Sequence, residues 1–264
     1  QVRQGAPQYS LSRLEAARSF VSLADFDQAL SVLRQGMDVA QSDSEKAQYW
    51  YLTGKAHVGK QDYSNAIDAF SNTLRVSSDP LLQEIARYDR GTSYTRLEMY
   101  AEAVEDLKLL TASENERIRG AVQRMLGMAY LRLNDQQEAL RSYSELAATS
   151  QNLSERADYL ILIVELYMEL EQYDEAVSTG RQILALDLGD DKGGREYSVR
   201  EQTHFLIAES LHSSGNYEDA VSAYIEGLSR YPDSFYSPDM SYALGTLYFQ
   251  MDRLDEAADT LTDF

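Results

Sequence analysis

One short pattern recurs along this chain and leaves few folds open to it. It reads "DFDQA", "DYSNA", "MYAEA", "DQQEA", "QYDEA", "NYEDA" and "RLDEA". The closing alanines are Ala29, Ala66, Ala103, Ala139, Ala176, Ala220 and Ala257, spaced by 37, 37, 36, 37, 44 and 37 residues. A fixed period of this size marks stacked supersecondary units, because one such unit cannot bury its apolar face alone.

Other positions keep step with the alanines. Twelve residues earlier stand Ala17, Gly54, Gly91, Gly127, Val164, Ala208 and Gly245. Nine earlier stand Phe20, His57, Tyr94, Tyr130, Tyr167, Leu211 and Tyr248. Four later come Leu33, Phe70, Leu107, Tyr143, Gly180, Tyr224 and Leu261. Apolar residues at helical spacing thus flank a short polar turn, which predicts a two-helix unit. Small residues let the two backbones approach, and large ones fill the space beside them. Asp, Asn, Ser and Gly in the turns are expected to cap the second helix. The aromatic three before most alanines is expected to wedge into the next layer. Unit five departs, with Val164 where a small residue belongs and Gly180 where a large one does.

Composition agrees with a packed helical chain. Apolar residues make up 44% and charged residues 25%, with only 4 Pro and 14 Gly. The greasiest run, "YLILIV" (159–164), is far shorter than a membrane span and lies in a patterned helix, so direct membrane insertion is not expected. Cysteine is absent, which removes disulfides, thiolate metal sites and thiol nucleophiles. Gln1 stands first, so a mature or trimmed form is expected, with any targeting segment already gone. Residues 1–132 hold 16 Lys and Arg against 17 Asp and Glu, whereas 133–264 hold 8 against 26. So acidic a second half argues against nucleic acid and anionic lipid as partners.

Motifs for chemistry fail on inspection. "GKAHVGKQ" (54–61) has phosphate-loop spacing, but Gln61 stands where Ser or Thr would hold magnesium, and the run is helical. His57 sits at a packing position and is expected in the core. His204 and His212 lie on one helix without a third ligand at helical spacing. "DLGDDKGG" (187–194) is acidic but lacks calcium-loop spacing. No metal, no cofactor and no enzyme is expected.

On these residues the chain resembles the tetratricopeptide repeat family from about residue 10 to 264. "YWYLTGKAHVGKQDYSNAIDAFSNTL" (49–74) and "FLIAESLHSSGNYEDAVSAYIEGLSRYP" (205–232) are the clearest copies, with Pro232 expected to end its helix. The resemblance implies an all-α fold, a right-handed solenoid superhelix of about seven helix-turn-helix units. Residues 1–9 are expected as a flexible N-terminal segment and 10–264 as the array. The polar "LGDDKGGRE" (188–196) is expected as a flexible insertion, and the array is expected to continue past 264.

The family holds peptides or partner helices in a groove lined by its first helices. Carried over, the groove residues are those fifteen, eleven and eight before each alanine. These are Leu14, Arg18 and Val21, then Tyr51, Lys55 and Val58, then Tyr88, Thr92 and Thr95, then Arg124, Met128 and Leu131. Ile161, Glu165 and Met168 follow, then Phe205, Glu209 and His212, then Tyr242, Thr246 and Phe249. With cations early and carboxylates late, a bound segment is expected to carry acidic residues toward the N-terminal units and basic ones toward the C-terminal units. The Lys and Asn set of the chaperone-clamp branch is not matched, since Leu14, Arg18, Tyr51, Lys55 and Asp89 stand at those places. The expected function is a non-enzymatic scaffold for a protein or peptide. Two alternatives stay open: an accessory of a bacterial periplasmic or cell-envelope complex, and a self-associating array. The expected compartment is that envelope, with the cytoplasm as the alternative.

Overall fold

The apolar spacing on either side of each turn resolves into helices. The structure is a computed structural model that describes residues 7–189 and 198–262. Unit 1 carries α1 (Pro7–Ser22), α2 (Phe26–Met37), α3 (Asp43–Gly59), α4 (Tyr63–Val76), α5 (Pro80–Arg96), α6 (Tyr100–Lys108) and α7 (Glu116–Arg132). Unit 2 carries α8 (Gln136–Thr149), α9 (Leu153–Glu169), α10 (Tyr173–Leu184), α11 (Val199–Ser213), α12 (Tyr217–Arg230), α13 (Ser237–Gln250) and α14 (Leu254–Thr262). The division falls between Asp135 and Gln136. No strand occurs among the described residues, and none of the described helices is long and apolar enough to cross a membrane. Pro7 to Tyr9, expected in a flexible segment, are helical; a proline fits a first helical position because its missing N–H has no partner there anyway. Most of the insertion expected at 188–196 lies outside the described residues. Across it, Arg200 Nη2 donates to the Leu186 carbonyl at 2.9 Å.

Each second helix begins three residues before its repeat alanine, after a three-residue turn. The middle residue of every turn is left-handed: Ala24, Gln61, Glu98, Asn134, Glu171 and Asp252 at φ between 58 and 60°, and Gly215 at 79°. The residue after it donates its N–H five residues back, as in Asp25 to Phe20, Asp62 to His57 and Met99 to Tyr94, each at 2.9 Å. This backbone closure is the Schellman motif. It explains why side-chain caps are rarer here than expected. Asp25 and Asp62 do cap α2 and α4, but Met99, Gln172 and Asn216 make no side-chain cap bond. The side-chain caps stand instead on first helices, at Ser42, Asp79, Asn115, Asn152 and Ser198.

Packing follows the small-and-large pattern. The seven repeat alanines are 0 to 4% exposed. A Cβ on Gly54 would lie 2.4 Å from Phe70, one on Gly91 3.0 Å from Leu107, and one on Gly245 2.5 Å from Leu261. Each glycine therefore gives its partner's side chain a seat against bare backbone. In unit five the sizes are exchanged: Val164 is buried, and Gly180 faces Ile207 of α11, 2.6 Å from where a Cβ would stand. The side chains nearest Gly180, Ile207 and Thr203, belong to the first helix of the next hairpin. The wedge is also present, because a Cβ on Gly59 of α3 would meet the Phe26 ring at 2.2 Å.

Polar ties add to this. In unit 1 the buried Asp106 of α6 accepts two bonds from Arg90 of α5, at 2.6 and 2.7 Å, while Arg90 Nη1 donates to Ser71 of α4 at 2.8 Å. One guanidinium thus joins three helices. In unit 2 the buried Tyr224 of α12 donates its hydroxyl to Glu209 of α11.

Candidate functional site

Successive first helices touch one another within each unit, α1 with α3, α5 with α7, and α9 with α11. This contact decides which of the expected groove residues reach solvent. Leu14 (2% exposed) and Ile161 (7%) do not. Leu14 lies in an apolar cluster with Leu33, Tyr49 and Leu52. These two are core residues, because an aliphatic side chain at the seam between adjacent first helices is covered by them.

In unit 1 the row is self-bonded. Tyr51 donates its hydroxyl to Asp89 Oδ2 at 2.9 Å, and Lys55 Nζ donates to Oδ1 at 3.2 Å. Burial, with the Asp89 charge behind it, pushes the Tyr51 phenol far above its ordinary value. The Tyr51 ring also packs 5.8 Å from Phe70. Arg18 Nη2 donates to Gln48 at 3.0 Å. Tyr88 is half-buried, while Arg18, Arg124, Met128 and Leu131 are exposed. Lys55 is therefore already paired within the protein. The expectation that the early units take acidic residues loses one of its three cations to Asp89.

In unit 2 the row is acidic and aromatic. Half-buried Glu165 accepts from Gln202 Nε2 at 3.3 Å; burial, then the Glu169 charge, raises its carboxyl above the ordinary glutamate range. Glu209 is held by Tyr224. Phe205 stacks on Tyr236 at 5.1 Å, and Tyr236 meets Phe235 edge-on at 5.3 Å. Tyr242 and Phe249 of α13 stand seven residues apart on one helix face and are 58% and 67% exposed.

The histidines divide. His57, expected in the core, is half-buried, and its Nδ1 lies 3.0 Å from Asp62, the α4 cap; an imidazole is polar enough to be drawn to that carboxylate. His204 is buried against Tyr231 at 5.6 Å, and burial lowers its pKa. His212 bonds Gln250 at 3.1 Å. No group of three or more metal-ligating side chains occurs among the described residues.

Partners of the row that sequence reasoning missed, Gln202 and Gln250, stand 37 and 38 residues from Glu165 and His212. Asp89 stands 34 and 38 residues from Lys55 and Tyr51. A polar pair about one repeat apart is the signal that finds them.

Paired helices, a shared three-residue turn and contacts between neighbours define a helical-hairpin repeat protein. The chain belongs to the tetratricopeptide repeat family, whose model matches residues 14–80, 51–117, 124–191 and 205–263. Solved structures share the fold. YrrB, titled a TPR protein with an unusual peptide-binding site, is 20% identical with a TM-score of 0.55, over 72% of this chain and 90% of that one. MamA of Desulfovibrio magneticus RS-1 is 15% identical at 0.54, over 69% and 97%. The apo form of RapI is 10% identical at 0.56, over 96% and 75%. Comparison with curated protein sequences gave no match.

Proposed function

We propose that this chain is a non-enzymatic scaffold that holds a segment of another protein along the first-helix row of unit 2, with Tyr242 and Phe249 as the apolar anchors. The exposure of these two large aromatics on one helix face carries the reading, since aromatics are the side chains that binding hot spots favour. Glu165, Glu209 and Asp239 lie on first helices of the same unit, which as a whole has 8 Lys and Arg against 25 Asp and Glu. The segment it takes is therefore apolar with flanking basic residues. The fold likeness to YrrB, whose title names a peptide-binding site, agrees with this reading.

The test is a pull-down from native lysate with the wild-type chain beside a Tyr242→Ala/Phe249→Ala variant whose helix content is unchanged. A captured protein that the variant loses, and that raised salt weakens, supports the row as the site. Equal capture by both chains refutes it.

A further inference from the structure

The joint between α12 and α13 closes around one buried histidine. His204 of α11 is buried, and its ring makes no hydrogen bond to any described residue. That ring lies 5.6 Å from the ring of Tyr231, the residue that ends α12. A Cβ on Gly227 of α12 would stand 3.5 Å from the His204 Cβ and 2.8 Å from the Met240 sulfur of α13. Three helices thus converge beside the histidine.

Tyr231 is also the hub of the joint, residues 231–236. Its carbonyl accepts from the Ser234 N–H at 3.1 Å and from Ser237 Oγ at 2.8 Å, and Ser234 Oγ accepts from the Tyr236 N–H at 3.1 Å. Tyr236 in turn stacks on Phe205, the neighbour of His204 on α11. A change that unseats Tyr231 therefore loosens the whole joint. On its other side His204 borders an open cavity of about 300 Å³ between α10, α11 and α12, which gives a proton its route to the ring.

The surroundings decide what that proton does. The charges felt at the ring are Glu226 and Arg230 of α12. They lie 3.6 Å from each other, so the pull of the carboxylate is offset by the guanidinium. Arg181 of α10 and Asp219 of α12, again one of each sign, line the cavity, and Arg200 and Glu201 stand one turn back on α11. From α13 the neighbour is Met240, which carries no charge. Burial is left as the main influence, and it favours the neutral ring. An imidazolium would hold a charge and two N–H donors in a seat that gives the neutral ring no hydrogen bond.

We propose that His204 is an acid-released latch on the α12–α13 joint: the neutral ring seats Tyr231 and keeps residues 231–236 closed, and the protonated ring leaves that seat for water and lets them open. Above the ordinary histidine pKa the latch is fully set. As pH falls below that value the open form takes the proton first, and closure weakens until the closed form takes it too.

The test is NMR. The chain has three histidines, hence three imidazole signals, and His204→Gln assigns one of them by its loss. That signal is expected to titrate below the ordinary value of about 6.5. Amide hydrogen exchange at 231–237, corrected for its intrinsic pH dependence, is expected to rise about tenfold or more between pH 7.5 and pH 5, against a ceiling of about tenfold per pH unit below 6.5. Exchange in α5, in the other unit, should not rise, and His204→Gln should remove the rise at 231–237. An imidazole midpoint at or above the ordinary value, unchanged exchange at 231–237, an equal rise in α5, or the same rise in a folded His204→Gln chain overturns the proposal. If that variant fails to fold, His57→Gln/His212→Gln leaves His204 as the one histidine, and the rise must then level off at the midpoint of its imidazole. Tyr242→Ala/Phe249→Ala should leave both curves as they are, so loss of partner capture through the row does not touch this result.

Discussion

Unit 1 has 16 Lys and Arg against 18 Asp and Glu, and unit 2 has 8 against 25, yet both are built from the same hairpin. The difference shows in the ties between helices. In unit 1 carboxylates meet cations: Arg90 with Asp106, Lys55 with Asp89, Lys60 with Asp27. In unit 2 the carboxylates of the first-helix row meet neutral donors, as in Gln202 with Glu165 and Tyr224 with Glu209. An apolar cluster there runs through α10 to α14, with Ile207, Leu211, Tyr224, Met240 and Leu247 among its members. The fold thus accepts two ways of bonding one helix to another. In the cation-poor unit an amide and a phenol donate to Glu165 and Glu209.

The sharpest way to break this comparison is Asp106→Ala. It strands Arg90 between three helices and should destabilise unit 1 by about 3–5 kcal/mol, read by urea unfolding. Changing both partners to apolar residues should recover most of that loss. Next is Ala139→Trp, which forces a large ring into a fully buried seat. It should cost about 3 kcal/mol, and an unchanged melting temperature would mean the repeat register is wrong. Tyr224→Phe removes the donor of half-buried Glu209 and should cost about 1–2 kcal/mol, less than the loss at Asp106.

Glu165 gives a test in pH. Its carboxyl titrates above the ordinary glutamate value because it is buried beside Glu169, so the folded chain holds that proton more tightly than the unfolded chain. The associated stability is whole below the ordinary pKa and is lost as pH rises through the raised one. Glu165→Gln should therefore raise the melting temperature at pH 7 and change it little at pH 4. The smallest effect is expected at Ala24, left-handed at φ 58°. Ala24→Gly relieves that conformation but frees the unfolded chain, for a net gain of about 0.5 kcal/mol in thermal unfolding.

Much of this was legible in the residues. The alanine spacing located the second helices, and the glycines twelve residues earlier located the seats for Phe70, Leu107 and Leu261. The turns were less legible. Gly215, and more weakly Asn134 and Asp252, advertise a left-handed residue; the other four turns place Ala, Gln, Glu and Glu there, and the closure is made by backbone hydrogen bonds that leave no mark in residue type. The row was legible in part. Counting back from the alanine chose Tyr242 and Phe249, which reach solvent, but also Leu14 and Ile161, which are buried. Period places a residue on a face, and burial depends on the residues opposite. His57 shows the same limit, because its position predicts core and its chemistry draws it to Asp62.

The three-residue turn has a consequence for how such a chain can change. Inside the hairpins it never varies, while the connections between hairpins range from 3 residues at 77–79 to 14 at 185–198. The hairpin is therefore the constant module of this chain, and the joints between hairpins are where length differs. New sequence enters between modules without disturbing the elbow that defines each one. A joint can be long, as at 185–198, while every repeat alanine stays seated.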